Sequence, residues 1–204
     1  MVIKIGVLEL QGDFELHHRV FKSMEFDSVS VKKSSDLNSI DGLVIPGGES
    51  TTMSLLIESS KMYEPLIDFG KHNPVLGTCA GLIMMANNVD DKRVKPLRLV
   101  NINVERNAYG RQIKSVKKNI QFNFSENYKV VLPTTLIRAP KIKNLSPDIT
   151  VIGEYNNIPI AIISGHHLCL SFHPELDKID IFHRFLFDSQ SEIYFKKIIH
   201  RHVA

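Results

Sequence analysis

Apolar positions along this chain follow two rhythms. Up to about residue 87, short apolar runs alternate with segments whose apolar residues recur at helical spacing; beyond about residue 95 most segments are short and strand-like. Residues 2–10 are apolar on both faces, as in a strand of a parallel sheet covered by helices. The turn Gln11-Gly12-Asp13 follows, and then Phe14, His17, His18, Phe21 and Met24 predict a helix over 14–24 that returns the chain to a strand at 28–32. A polar link over 36–41 leads to a third strand at 42–45, which ends in Pro46-Gly47-Gly48-Glu49-Ser50. Helices are expected over 51–60 and 63–69, then a short strand at 75–76 and a buried helix from 82 to about 87. This order describes an open α/β sheet, with ligands expected beyond the carboxyl ends of the strands. The runs at 97–104, 113–124, 129–132, 135–137, 150–155, 158–163 and 168–172 predict antiparallel strands that extend the sheet or form a flanking hairpin layer. Helices over 180–187 and 192–200 close the chain. No repeat, low-complexity tract or flexible linker interrupts it, so one domain over residues 1–204 is the expectation.

Composition narrows the class of partners. The hydrophobic content of 43% and charged content of 23% are those of an ordinary globular protein, and the net charge is only +3. Arg111, Lys114, Lys117 and Lys118 gather without interleaved aromatic residues, which reads as a solvated strand edge rather than a nucleic-acid surface. Two cysteines make no disulfide framework for 204 residues, so a reducing compartment is expected. The first residues have no signal-peptide pattern and no run reaches membrane-spanning length, so the expected location is the cytoplasm, with no membrane partner.

Between the strand at 75–76 and the helix beginning at 82 stands Gly77-Thr78-Cys79-Ala80-Gly81. A small-x-Cys-x-small turn from strand to helix is the cysteine form of a nucleophile elbow, and a helix start favours thiolate over thiol. A core cysteine beside a tight turn accounts for the pentapeptide equally well. A thiolate nucleophile needs a base, an orienting partner for it, and oxyanion donors. Among nine histidines, His173 ends an apolar strand and is followed at once by Pro174-Glu175. In an extended segment Glu175 leaves the same side as His173 and can fix its tautomer. His17, His18, His72, His166, His167, His183, His200 and His202 have plainer readings, and no Cys-x-x-Cys or His-Glu-x-x-His suggests a metal. Ala80, just after the nucleophile, and the Gly47-Gly48 turn are the candidate oxyanion donors; two glycines also permit that peptide to turn over.

These motifs together resemble the triad glutamine amidotransferases, and within them the glutaminase subunits of pyridoxal 5'-phosphate synthase, a family of vitamin B6 biosynthesis. The resemblance is carried by Gly6-Val7-Leu8 with Leu10-Gln11-Gly12, Pro46-Gly47-Gly48-Glu49-Ser50-Thr51 and Gly77-Thr78-Cys79-Ala80-Gly81. It continues through Arg106-Asn107-Ala108-Tyr109-Gly110-Arg111-Gln112, Ile137-Arg138-Ala139-Pro140 and Ser171-Phe172-His173-Pro174-Glu175-Leu176. It implies a flavodoxin-like class I amidotransferase architecture, an open, mostly parallel mixed sheet flanked by helices with added antiparallel strands. It further implies that Cys79 attacks the side-chain amide of L-glutamine, that His173 passes the proton to departing ammonia, and that Glu175 orients His173. The substrate contacts it implies are Gly48, Glu49, Ser50, Arg106, Ile137 and Arg138, with Gly48 and Ala80 at the oxyanion, no metal and no cofactor. The implied partner is an ammonia-accepting synthase subunit in a large hetero-oligomer. Departures are Glu9 where alanine is more familiar, Leu136 where phenylalanine is common, and Cys169 where a small residue is usual. Cys169 is read as core packing, although its strand parity matches that of His173.

Overall fold

In the computed structural model, which describes residues 3–106 and 115–196, the amino-terminal half follows its hydrophobic pattern closely. β1 (Ile5–Leu8), α1 (Phe14–Ser23), β2 (Ser28–Val31), β3 (Gly42–Ile45), α2 (Ser50–Ser59), α3 (Tyr63–His72) and β4 (Val75–Thr78) appear in the expected order. The polar link before β3 is wound into a 3-10 helix, Ser34–Ser39, whose Asp36 carboxylate accepts from the backbone N–H groups of Lys32 and Lys33.

The expected helix after Cys79 is shorter than its apolar run. α4 spans Ala80–Met85, and the chain then enters β5 (Ala86–Val89), which pairs with β6 (Val100–Glu105). Periodicity cannot divide a run apolar at every position. Hydrogen bonds from Leu97 N–H to Met84 O and from Leu99 N–H to Met85 O capture the last carbonyls and end the helix there. β7 (Val116–Asn123) pairs with β8 (Lys129–Leu136), a single strand through Pro133 where two, over 129–132 and 135–137, were expected. β8 lies at the edge of its sheet, where a residue without an N–H breaks no ladder. β9 (Lys141–Lys143) has no counterpart among the expected strands; it joins β6 in a small second sheet of order β5-β6-β9. β10 (Ile149–Tyr155), β11 (Ile158–Ser164), β12 (His167–Leu170) and α5 (Ile181–Phe187) complete the described fold. Of the expected elements, the start of the 113–124 run and residues 197–200 of the 192–200 helix lie outside the described residues, as do Asn107 to Gln112; within 192–196 only 195 and 196 are helical.

Among the described residues the main sheet has nine strands in the order β2-β1-β3-β4-β12-β11-β10-β7-β8. It is parallel from β2 to β12 and antiparallel beyond, so the strands expected from residue 113 onward extend the sheet, whereas the one expected over 97–104 lies in the second sheet and pairs parallel with β5. Alternate residues of each central strand divide between two cores, one per face. Leu43, Ile45, Val75 and Cys169 pack towards α2, α3 and α4, while Val44, Leu76, Leu168 and Leu170 pack towards α1 and α5. Cys169 is therefore a core residue: its sulfur meets Met85 Sδ at 3.9 Å, and burial pushes its thiol well above the usual range. No described helix is long and apolar enough to cross a membrane.

Candidate active site

Register brings three strand ends together. Ile45 of β3 lies opposite Gly77 of β4, and Thr78 of β4 opposite Leu170 of β12. The residues that follow each strand, Gly47-Gly48, Cys79 and His173, therefore emerge at one edge of the sheet. Gly48, Cys79 and His173, with Asp13, Glu49, Ser50, Ile83, Arg106, Ile137, Arg138 and Leu176, line a cavity of about 310 Å³.

Cys79 sits between β4 and α4 at φ 47° and ψ −100°, a conformation that non-glycine residues avoid at a cost of about 1–3 kcal/mol. The surroundings enforce it: Cys79 N–H donates to Leu170 O at 2.8 Å, and Ile83 N–H donates to Cys79 O at 3.2 Å. Gly81 makes the tight turn possible, because a Cβ there would lie 1.9 Å from Ile45 O. Ala80, buried, begins α4, so its N–H has no acceptor within the helix.

His173 lies beyond the end of β12, in a turn rather than in an extended segment. Its Nδ1 is nevertheless 2.7 Å from Glu175 Oε1, and both side chains are buried. Burial alone disfavours an imidazolium. The Cys79 sulfur and the Glu175 carboxylate facing the ring outweigh that and push His173 up to about 10. Its Nε2 is left for the thiol side, the disposition a proton shuttle requires. Gly47 packs against the same ring, and a Cβ there would lie 2.2 Å from His173 Cε1. Asp13 Oδ2 also approaches His173 Nδ1, at 3.7 Å, and Asp13, His173 and Glu175 form a cluster of metal-ligand type. Two of its ligand atoms, His173 Nδ1 and Glu175 Oε1, are hydrogen-bonded to each other.

The rim is ionic. Glu49 caps α2, accepting from Thr51 N–H at 3.2 Å, Thr52 N–H at 2.6 Å and the Thr51 hydroxyl. Partial burial opposes its charge, but these donors hold the carboxyl near 2. Arg106 reaches across the cavity mouth, with Nη2 2.8 Å from Glu49 Oε1 and Nη1 2.5 Å from Asp91 Oδ2. Arg138 lies in a bend just after β8 at φ 42°, and no carboxylate partner is recorded for it among the described residues. Ser50 opens α2 with its hydroxyl buried and without a hydrogen-bond partner among the described residues. The Gly47 carbonyl accepts from Asp13 N–H at 3.0 Å, and Glu49 N–H donates to Gln11 Oε1 at 3.0 Å, so the first turn of the chain braces the glycine turn.

All the site residues expected from sequence thus border one cavity or, for Glu175 and Ala80, adjoin a residue that does. Sequence reasoning missed Asp13, Ile83 and Leu176 as lining residues, and Asp91 as the second anchor of Arg106. Their one signal was position, next to a strand end or a motif already singled out. The basic group is split: Lys117 pairs with Asp177 at 2.7 Å, and Arg111 and Lys114 lie outside the described residues.

Known proteins are similar to the chain over most of its length. The chain is 39% identical over 175 residues to a protein of Shouchella clausii named pyridoxal 5'-phosphate synthase subunit PdxT, covering 85% of this chain and 88% of that one. A protein of the same name from Oenococcus oeni is 38% identical over 186 residues, covering 91% and 95%. A crystal structure described as a glutamine amidotransferase superposes with a TM-score of 0.82 at 31% identity, covering 89% of this chain and 96% of that chain. The SNO glutamine amidotransferase family model matches residues 7–191, a span that contains every residue of the cavity. With that match and a cysteine elbow facing a histidine–glutamate pair, the chain belongs to the SNO glutamine amidotransferase family.

Proposed function

We propose that this chain is the glutaminase subunit of a pyridoxal 5'-phosphate synthase, a single domain over residues 1–204 that hydrolyses L-glutamine to L-glutamate and ammonia. The observation that carries the reading is the cavity shared by Cys79 and His173, with Glu175 locked onto the far nitrogen of the imidazole. The Cys79 thiolate attacks the amide carbon of glutamine, and the carbonyl oxygen takes up negative charge towards the N–H groups of Ala80 and Gly48. The C–N bond then breaks as His173 gives its proton to the departing nitrogen, leaving ammonia and a thioester. Water, deprotonated by His173, attacks the thioester and releases glutamate and the thiolate.

The rim supports one orientation of the substrate. Arg106 is already held between Glu49 and Asp91, so the guanidinium left for the α-carboxylate is that of Arg138. Glu49 and backbone carbonyls of the Ser50 and Ile137 turns suit the ammonium group. Ammonia passes to the synthase subunit of a large cytoplasmic hetero-oligomer, and no cofactor or metal enters the glutaminase step. The Gly47 carbonyl is held by Asp13 N–H, so turning this peptide over to reshape the oxyanion site breaks a hydrogen bond that docking on the synthase would have to replace.

The test is glutaminase activity of the purified chain, alone and with the synthase subunit, together with thiol-directed labelling by a glutamine analogue. Activity that rises on docking and labelling confined to Cys79 are expected. Equal activity with and without the synthase would refute the switch, and labelling unaffected by Cys79→Ala would refute the glutaminase mechanism.

A further inference from the structure

Behind the His173–Glu175 pair lies a buried polar chain that the proposed reaction leaves unused. Glu175 spends Oε1 on His173, and its other oxygen, Oε2, has no hydrogen-bond partner among the described residues. A buried carboxylate oxygen without a donor is costly. His17, on α1, places Nε2 at 3.6 Å from that oxygen, with both side chains fully buried. The same nitrogen is 3.3 Å from Thr78 Oγ1, one residue before Cys79. On its other side, His17 Nδ1 is 2.9 Å from Nε2 of His183 on α5, whose own Nδ1 has no hydrogen-bond partner among the described residues.

The contact between the two imidazoles fixes the proton positions. Burial keeps both rings neutral: it holds His17 well below the usual histidine value, helped by neighbouring His183, His173 and His18, and it holds His183 near 3. Two neutral rings meeting nitrogen to nitrogen must have one proton between them. If it sat on His17 Nδ1, the His17 Nε2 lone pair would face the Glu175 carboxylate. His183 would then carry its proton on Nδ1, a buried donor with no acceptor. If it sits on His183 Nε2, the His17 proton lies on Nε2, facing Glu175 Oε2 and Thr78 Oγ1, and only a lone pair on His183 Nδ1 is unpaired. The second arrangement removes both penalties.

We propose that His17, fixed in its Nε2–H tautomer by His183, is a positioning residue that holds the second oxygen of Glu175 and thereby the orientation of the His173 imidazole. At 3.6 Å the link is a charge–dipole interaction rather than a hydrogen bond, strengthened by the dry surroundings. The role rests on the glutaminase reading, because only in that reading does the orientation of His173 matter to a rate.

Nitrogen–proton NMR correlation of the imidazoles in the intact chain reads the tautomers directly, with Nε2–H expected for both His17 and His183; Nδ1–H at His17 overturns the proposal. This readout does not depend on activity or on the folding of a variant, so its failure is separable from failure of the glutaminase reading. In the assembled complex, His17→Leu is expected to lower kcat about 3- to 10-fold, less than the loss of a hydrogen bond to a charged group because the link is a longer charge–dipole contact, with KM for glutamine nearly unchanged. His17→Gln, which can put an amide N–H near the position of Nε2, should restore most of kcat. Equal losses in both variants would mean that His17 only fills space, and would overturn the proposal.

Discussion

His173 and Glu175 are buried and joined by one short hydrogen bond, with Gly47 against the imidazole. Arg106 and Glu49 face the same cavity, yet the Glu49 side chain is 47% exposed and the pair is held by charge across the opening. The reacting groups thus stand where the cores of both sheet faces converge on the strand ends, and small displacements there meet close-packed neighbours. At the rim Glu49 is solvated, and an ion pair to an exposed group is weak, so that side of the mouth can rearrange around a ligand at low cost while Asp91 keeps hold of Arg106. The contrast suits a site whose chemistry is set in advance and whose mouth adapts.

Substitutions on either side of this divide should behave differently. Cys79→Ala removes the nucleophile and should lower glutaminase kcat by about four orders of magnitude or more while leaving glutamine binding measurable by calorimetry. Gly47→Ala pushes a methyl group into the His173 ring, which Glu175 prevents from moving aside, and should cost about 100-fold in kcat with little change in KM. A smaller loss than that of Arg138→Ala would show that the ring is not rigidly held. At the rim the order of effects reverses between kcat and KM. Arg138→Ala should raise KM about 10- to 100-fold, as for loss of a charge-assisted hydrogen bond, and leave kcat within a few-fold. Arg106→Ala should do less to KM, because its guanidinium serves Glu49 and Asp91. Equal KM effects would show that both arginines hold substrate.

The mildest test uses no substitution. His167 and His183 are held near 3 by burial, so between about pH 6.5 and 3 the unfolded chain binds protons that the folded chain refuses. Stability should fall with falling pH in that window, by up to about 1.4 kcal/mol per pH unit for each histidine. His173 acts oppositely: its folded value is raised, so its contribution is full below about 6.5 and is lost as pH rises towards 10. Denaturant midpoints should therefore peak near neutrality. Stability that instead rose steadily below pH 6 would contradict the burial of these rings.

How much was legible follows from what each signal depends on. The parallel half was readable because its strands are buried on both faces and its helices carry one apolar side, so α1 and α3 show in the spacing of Phe14, His17 and Phe21 or of Leu66, Phe69 and Gly70. The end of α4 at Met85 was not readable, because Leu82 to Ala86 are all buried and the stop is set by hydrogen bonds from Leu97 and Leu99. β9 was missed for a similar reason: three residues hold their place only through pairing with β6. The pairing of His173 with Glu175 was expected from alternation in a strand, whereas a turn beyond β12 brings it about.

The sequence by itself determined the reacting set and its order: a thiol in a small-residue elbow, a histidine followed two residues later by a glutamate, and a double glycine after a strand. These are local, and a backbone turn or a one-residue spacing carries each of them. Only the tertiary structure decided which groups answer one another across the chain. The register of β3, β4 and β12 brings the three motifs to one edge, Asp91 and Glu49 claim Arg106, and α1 and α5 set His17 against His183 behind Glu175. Such contacts join residues up to 166 positions apart, and no local pattern encodes them, because they arise from which faces of distant elements are buried together.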